Sequence, residues 1–188
     1  MSKDKKTHKE YRGGLLEYER SKKDILIWMK EDNNPECRFS TMFDLYALPK
    51  DFPGYEEAAG RSDPFERVTF LETALAKDID SPRFIPYIQL HEFEALIFSL
   101  PQALDWEYLE HEKPIKNLIK MVGRQNPELI NDGAATAPSK RIIKEIPEYD
   151  KVAAGVSVVG KIGIEHLRST CRHFSEWLEK LERLGQSS

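Results

Sequence analysis

Residues 84–99 read FIPYIQLHEFEALIFS, and this stretch decides the fold class. Phe84 to Leu90 is a run of β-formers that predicts a strand, and it leads straight into an apolar segment, His91 to Ser99, that predicts a helix. The same alternation lies upstream. Leu15, Leu16, Ile25, Trp28 and Met29 sit among charges at helical spacing up to Glu31, and Asn33-Asn34-Pro35 ends that helix. Cys37 to Leu45 then forms a strand, with Phe39, Thr41 and Phe43 on one face. Pro49, Pro53 and Gly54 make a loop. Asp63-Pro64-Phe65-Glu66 opens the next helix with an N-cap, a proline at the first position and an acid in the first turn; its stripe is Phe65, Val68, Leu71 and Leu75. Helix, strand, helix, strand, helix is the order from which parallel α/β sheets are built.

Beyond Pro101 no strand is predicted. Short helices are separated by Pro114, Asn126-Pro127, the turn Asn131-Asp132-Gly133, Pro138 and Pro147, and two more helices span about Glu165 to His173 and Ser175 to Leu184. The expectation is a single α/β domain over 1–188, with an α/β part at 13–100 and a helical part at 101–188.

The composition of 40% apolar and 32% charged residues can build a core and argues against disorder. The two cysteines, Cys37 and Cys171, form no CxxC and belong to no zinc-ligand cluster, so a reducing compartment is the simpler reading. The N-terminus is charged, and runs such as Ala95 to Phe98 are too short to span a bilayer; a cytoplasmic protein without a membrane partner is expected. A net charge of -4 excludes an all-over basic coat for nucleic acid. Local patches at Ser139-Lys140-Arg141 with Lys144, and at Lys161, Arg168 and Arg172, are either such binding points or solvated helix faces.

Three motifs fail. Gly155-Val-Ser-Val-Val-Gly160-Lys161 matches the start of a P-loop, but Ile162 stands where a hydroxyl must hold Mg²⁺, and no clear strand precedes it. The second glycine comes one residue late for a nucleophile elbow. His91-Glu92 begins like a zinc-protease helix, yet Ala95 stands where the second histidine is needed.

What remains is a set of carboxylates. Asp44 falls near the end of the first strand, and Glu92 and Glu94 fall just after the second. Ligands of parallel sheets bind beyond the carboxyl ends of the strands, and Mg²⁺ takes one or two carboxylates together with water and substrate phosphate. Glu92 and Glu94, about 200° apart on a helix, both face a crevice only if the helix is just beginning there. The other reading is that Asp44 caps a turn while the two glutamates favour the positive end of the following helix.

Several strings resemble one bacterial family. They are Thr41 to Pro49 (TMFDLYALP) with Asp51-Phe-Pro-Gly54, Pro86 to Leu96 (PYIQLHEFEAL), Pro127 to Gly133 (PELINDG) and Ala137 to Arg141 (APSKR). The chain is similar, from about Tyr11 to Leu184, to domain-of-unknown-function family 4276, generally placed with the Toprim-like proteins. The resemblance implies a Toprim-like parallel sheet flanked by helices. It also implies Mg²⁺, or Mn²⁺ in its place, on acidic residues for phosphodiester chemistry on nucleic acid, DNA before RNA. Such proteins often sit beside an ATPase partner in bacterial defence loci, and a non-catalytic interaction subunit of an ATPase complex is the alternative. By position, Asp44, Glu92 and Glu94 match the catalytic and metal-binding acids, while Ser139, Lys140 and Arg141 match the Pro-Ser-Lys-Arg string and are assigned to phosphate. Toprim domains carry Asp-x-Asp where this chain has Asp44-Leu45-Tyr46. Family members also begin with an apolar strand ending in Glu-Gly, whereas the residues here up to His8 are polar, so a truncated form is expected, active or inactive according to whether the missing glutamate is needed.

Overall fold

The computed structural model describes residues 17–130, 133 and 136–184, and it is a mixed α/β structure, mostly helical, with small parallel sheets. Leu15 and Leu16 of the first predicted helix, and Asn131 and Asp132 of the predicted turn, lie outside the described residues.

Both predicted strands exist and are neighbours, but each is broken in the middle. β1 (Phe39–Ser40) pairs in parallel with β3 (Phe84–Ile85), and β2 (Phe43–Asp44) with β4 (Ile88–Gln89). The register is the same in both pairs: Phe39 lies opposite Phe84, and Phe43 opposite Ile88. The break follows from Pro86, which has no N–H for the ladder. Across the gap the Thr41 hydroxyl lies 3.4 Å from both the amide nitrogen and the carbonyl oxygen of Tyr87, standing in for backbone.

Among the described residues, eight α-helices accompany these strands: α1 (Tyr18–Glu31), α2 (Tyr55–Ala58), α3 (Pro64–Ile79), α4 (Glu112–Val122), α5 (Pro138–Glu145), α6 (Ala153–Ile162), α7 (Ile164–Thr170) and α8 (Arg172–Leu184). The α3 start matches its sequence signal, since the Asp63 carboxylate accepts from the Phe65 and Glu66 amides at 2.7 and 3.0 Å. The predicted helix His91 to Ser99 is a 3-10 helix, Phe93–Ser99, because Glu92 is still extended at φ -155°, ψ 167°. Gly155 to Lys161 lies inside α6, so the P-loop likeness is coincidental.

The β3–β4 strand has both faces covered, as a parallel strand requires. Ile88 and Leu90 pack with Leu71 and Leu75 of α3 in one apolar cluster, while Tyr87 joins the cluster of the C-terminal helices. Tyr87 stacks on Trp177 at 4.5 Å, and the Trp177 indole donates to Ser40 Oγ at 2.9 Å. Buried Glu72 of α3 accepts from the Ile88 amide and pairs with His173 Nε2, both at 2.9 Å, fastening α3 to β4 and α8.

Glu128, fully buried, caps α8 from a distance: its two oxygens accept from the His173 and Phe174 amides at 3.0 Å. Burial raises its pKa against the pull of those donors. Glu128→Ala leaves two buried amides unsatisfied and should cost about 2–4 kcal/mol in urea unfolding. Glu128→Gln, which keeps one acceptor, should cost less than half as much.

Candidate functional site

Asp44 ends β2, and Glu92 and Glu94 follow β4, so the pairing brings the three predicted acids to one end of the parallel strands. The extended backbone at Glu92 settles the angular conflict between the two glutamates. With the helix only beginning at Phe93, both side chains turn to the same place, and their exposures are 0% and 1%.

Each acid is held differently. Asp44 Oδ1 accepts from the Phe93 amide at 3.0 Å, so Asp44 does cap a turn. Glu92 makes no such cap. Its Oε1 accepts from the Ser139 amide at the first turn of α5, and its Oε2 accepts from Lys151 Nζ at 3.0 Å. The same ammonium stands 3.3 Å from Glu94 Oε2, an ion-pair distance without hydrogen-bond alignment. Lys151 therefore sits between the two glutamates.

One ammonium does not balance three acids. Burial, with the charge of Glu92 behind it, pushes the Glu94 carboxyl up to about 7 and the Asp44 carboxyl up to about 6. Burial works against the Lys151 charge, but Glu94 and Glu92 outweigh it and hold the ammonium well above its ordinary value. Tyr149, whose pKa is raised by burial and by Glu94, has a buried hydroxyl with no hydrogen-bond partner among the described residues, and Glu94 Oε2 shares that condition.

Of the predicted phosphate-binding residues, Ser139 joins the site through its backbone. Lys140 is exposed on α5, and Arg141 Nε donates to the Thr136 carbonyl at 2.6 Å. Lys151 and Tyr149 were missed in the sequence. They lie in the loop before α6, where Asp150 caps the Val152 and Ala153 amides, and no motif spacing links them to Glu92.

Among the described residues no three His, Cys, Asp or Glu side chains are arranged as metal ligands. The donors nevertheless fit a hard divalent cation: the oxygens are carboxylate, the charge is in excess, and Glu94 Oε2 lacks a hydrogen-bond partner. Lys151 Nζ pairs with both Glu92 and Glu94, so a cation held by these residues would compete with it for their charge. No described helix is long and apolar enough to cross a membrane.

Parallel strands with buried acids at their carboxyl ends define the class: a mixed α/β protein with an acidic site. A family model, a domain of unknown function (DUF4276), matches residues 2–182, and the chain belongs to that family. Neither a search of curated proteins nor one of solved structures found a match.

Proposed function

We propose that the chain is a Toprim-like nuclease or related phosphodiester enzyme dependent on Mg²⁺ or Mn²⁺, acting on nucleic acid, with DNA favoured over RNA. The observation that carries this reading is the imbalance of charge: three clustered carboxylates, two of them buried, around the single ammonium of Lys151. Asp44, Glu92 and Glu94 would hold the cation, which when bound supplies charge neutralisation to the phosphate and a more acidic water. In this reading the two parallel strand pairs belong to a Toprim-type sheet.

The chain's own residues divide the remaining work. Glu94, buried beside Glu92 and with Oε2 lacking a hydrogen-bond partner, gives the cation a second carboxylate at that atom. Glu92 is fixed by the Ser139 amide, so its second oxygen stays aimed at Lys151. Lys151, 40% exposed, is the positive charge that an incoming phosphate meets.

Cleavage of labelled single- and double-stranded DNA and RNA tests this. Wild-type protein should cut in Mg²⁺ or Mn²⁺ and not in EDTA, and Glu92→Gln with Glu94→Gln should lower the rate about 100-fold or more. Equal cleavage by the folded double variant would end the proposal.

A further inference from the structure

A cavity lined by residues of the opposite charge lies next in the chain to the acids. It holds about 270 Å³ and is walled by Tyr46, Tyr55, Arg61, Ser62, Arg67 and His91, along with Leu45 and Pro64. The lining residues include two arginines and one histidine and no aspartate or glutamate. Asp63, between the lining residues Ser62 and Pro64, is committed to the α3 N-cap.

The cationic side chains are placed rather than loose. Arg61 Nη1 donates to the Glu57 carbonyl at 3.2 Å, and its guanidinium lies 3.9 Å from the centre of the Phe70 ring. Arg67 rises from the first turns of α3, and its Nε is buried with no hydrogen-bond partner among the described residues. His91 adopts φ +63°, a left-handed conformation that a non-glycine residue adopts at a cost, and its carbonyl accepts from the Tyr46 amide at 3.1 Å. Burial pushes the His91 imidazole below its ordinary value, with the Arg67 charge acting in the same direction and Glu92 against it.

The cavity and the acids are neighbours along the chain. His91 precedes Glu92, Tyr46 follows Asp44 by two residues, and the Tyr46 amide donates to the His91 carbonyl. Guanidinium forks match phosphate oxygens, and the half-exposed Tyr46 ring offers a face for a base. The volume suits one nucleotide unit.

We propose that this cavity binds one nucleotide of a nucleic-acid strand, with its phosphate on Arg61 and Arg67 and its base against Tyr46, so that the adjoining phosphodiester lies over Asp44, Glu92 and Glu94. This rests on the carboxylate site being the place of cleavage. It gives the site a subsite and accounts for how an acidic centre attracts a polyanion.

The test is binding of a fluorescent single-stranded DNA decamer in EDTA, where cleavage is silent. Arg61→Gln and Arg67→Gln should each weaken binding about tenfold and flatten its salt dependence by about one ion. Arg67→Lys should recover part of the loss. Thermal melting of each variant identifies any that fails to fold, and Arg61, bound only at the surface, supplies a variant that tests the cavity even if Arg67 proves structural. AMP is the competitor that separates sources: displacement of the decamer assigns the cavity to any nucleotide, and no displacement assigns it to a nucleotide within a strand. Equal binding by wild type and both folded Gln variants overturns the proposal. Glu92→Gln with Glu94→Gln should bind the decamer at least as tightly as wild type while losing cleavage. If that variant still cleaves while the arginine variants lose binding, the carboxylate reading fails and the cavity stands as a nucleotide site; the reverse result removes the cavity alone.

Discussion

Replacing Lys151 by Ala should destabilise the protein by about 2–3 kcal/mol near pH 8 in EDTA, and divalent cations should restore most of the loss. Breaking a buried ion pair by removing one partner typically costs about 3–5 kcal/mol, because the remaining charge is left uncompensated. The lower figure applies here because Lys151 is 40% exposed and solvent screens part of its attraction. Glu94, already held near 7, can also relieve the repulsion by taking a proton. The penalty should therefore be smaller near pH 5, where Glu94 and Asp44 are neutralised in the folded state. Because the ammonium no longer competes for Glu92 and Glu94, Lys151→Ala should bind Mn²⁺ more tightly than wild type. Urea titrations at both pH values, with and without Mn²⁺, check the three parts of this expectation. A variant whose stability is indifferent to pH and to Mn²⁺ would mean that Lys151 is an ordinary surface lysine.

Much of the positioning frame was legible in the sequence because it depends on local chemistry. The Asp63-Pro64 start of α3 is set by side-chain acceptors three residues or fewer from their donors, and the observed cap follows the pattern. The alternation of apolar runs gave the α/β class and both strands, while their pairing, which brings Asp44 and Glu92 to one end, came only with the structure. Less legible was the interruption by Pro86, which leaves four two-residue strands where two longer ones are expected. What local pattern could not carry is the second half of the site. Lys151 meets Glu92 across 59 positions, and the Ser139 amide meets it across 47. Such contacts are fixed by how α5 and α6 pack on the 3-10 helix after β4, and no spacing rule encodes that. Glu128 teaches the same lesson in reverse. Its Pro127-Glu128 string carried part of the family resemblance, yet in the structure the side chain is a cap for α8, 45 residues onward.

In EDTA, stability should fall as pH rises from about 4 to about 7, the opposite of the usual rise as carboxylates ionise. Folding raises Glu94 from 4.5 to about 7 and Asp44 from 3.8 to about 6. A carboxyl whose folded pKa is raised contributes fully below its unfolded value, and the contribution is lost as pH climbs through the folded one. Together the two groups should account for a decline on the order of 6 kcal/mol. A divalent cation binds the ionised form of the folded state alone, so it should offset the decline most strongly at the alkaline end, by about 2.7 kcal/mol at a concentration one hundred times its Kd. The most direct measurement is the melting temperature of wild type and of the Glu92→Gln, Glu94→Gln double variant, each from about pH 5 to about pH 8 in EDTA and in Mg²⁺. An acidic cation site predicts that wild type loses stability with rising pH in EDTA and regains it in Mg²⁺, while the double variant shows a much weaker pH decline and no response to Mg²⁺. A wild type indifferent to Mg²⁺ at alkaline pH, or a double variant with the full wild-type response, would contradict it.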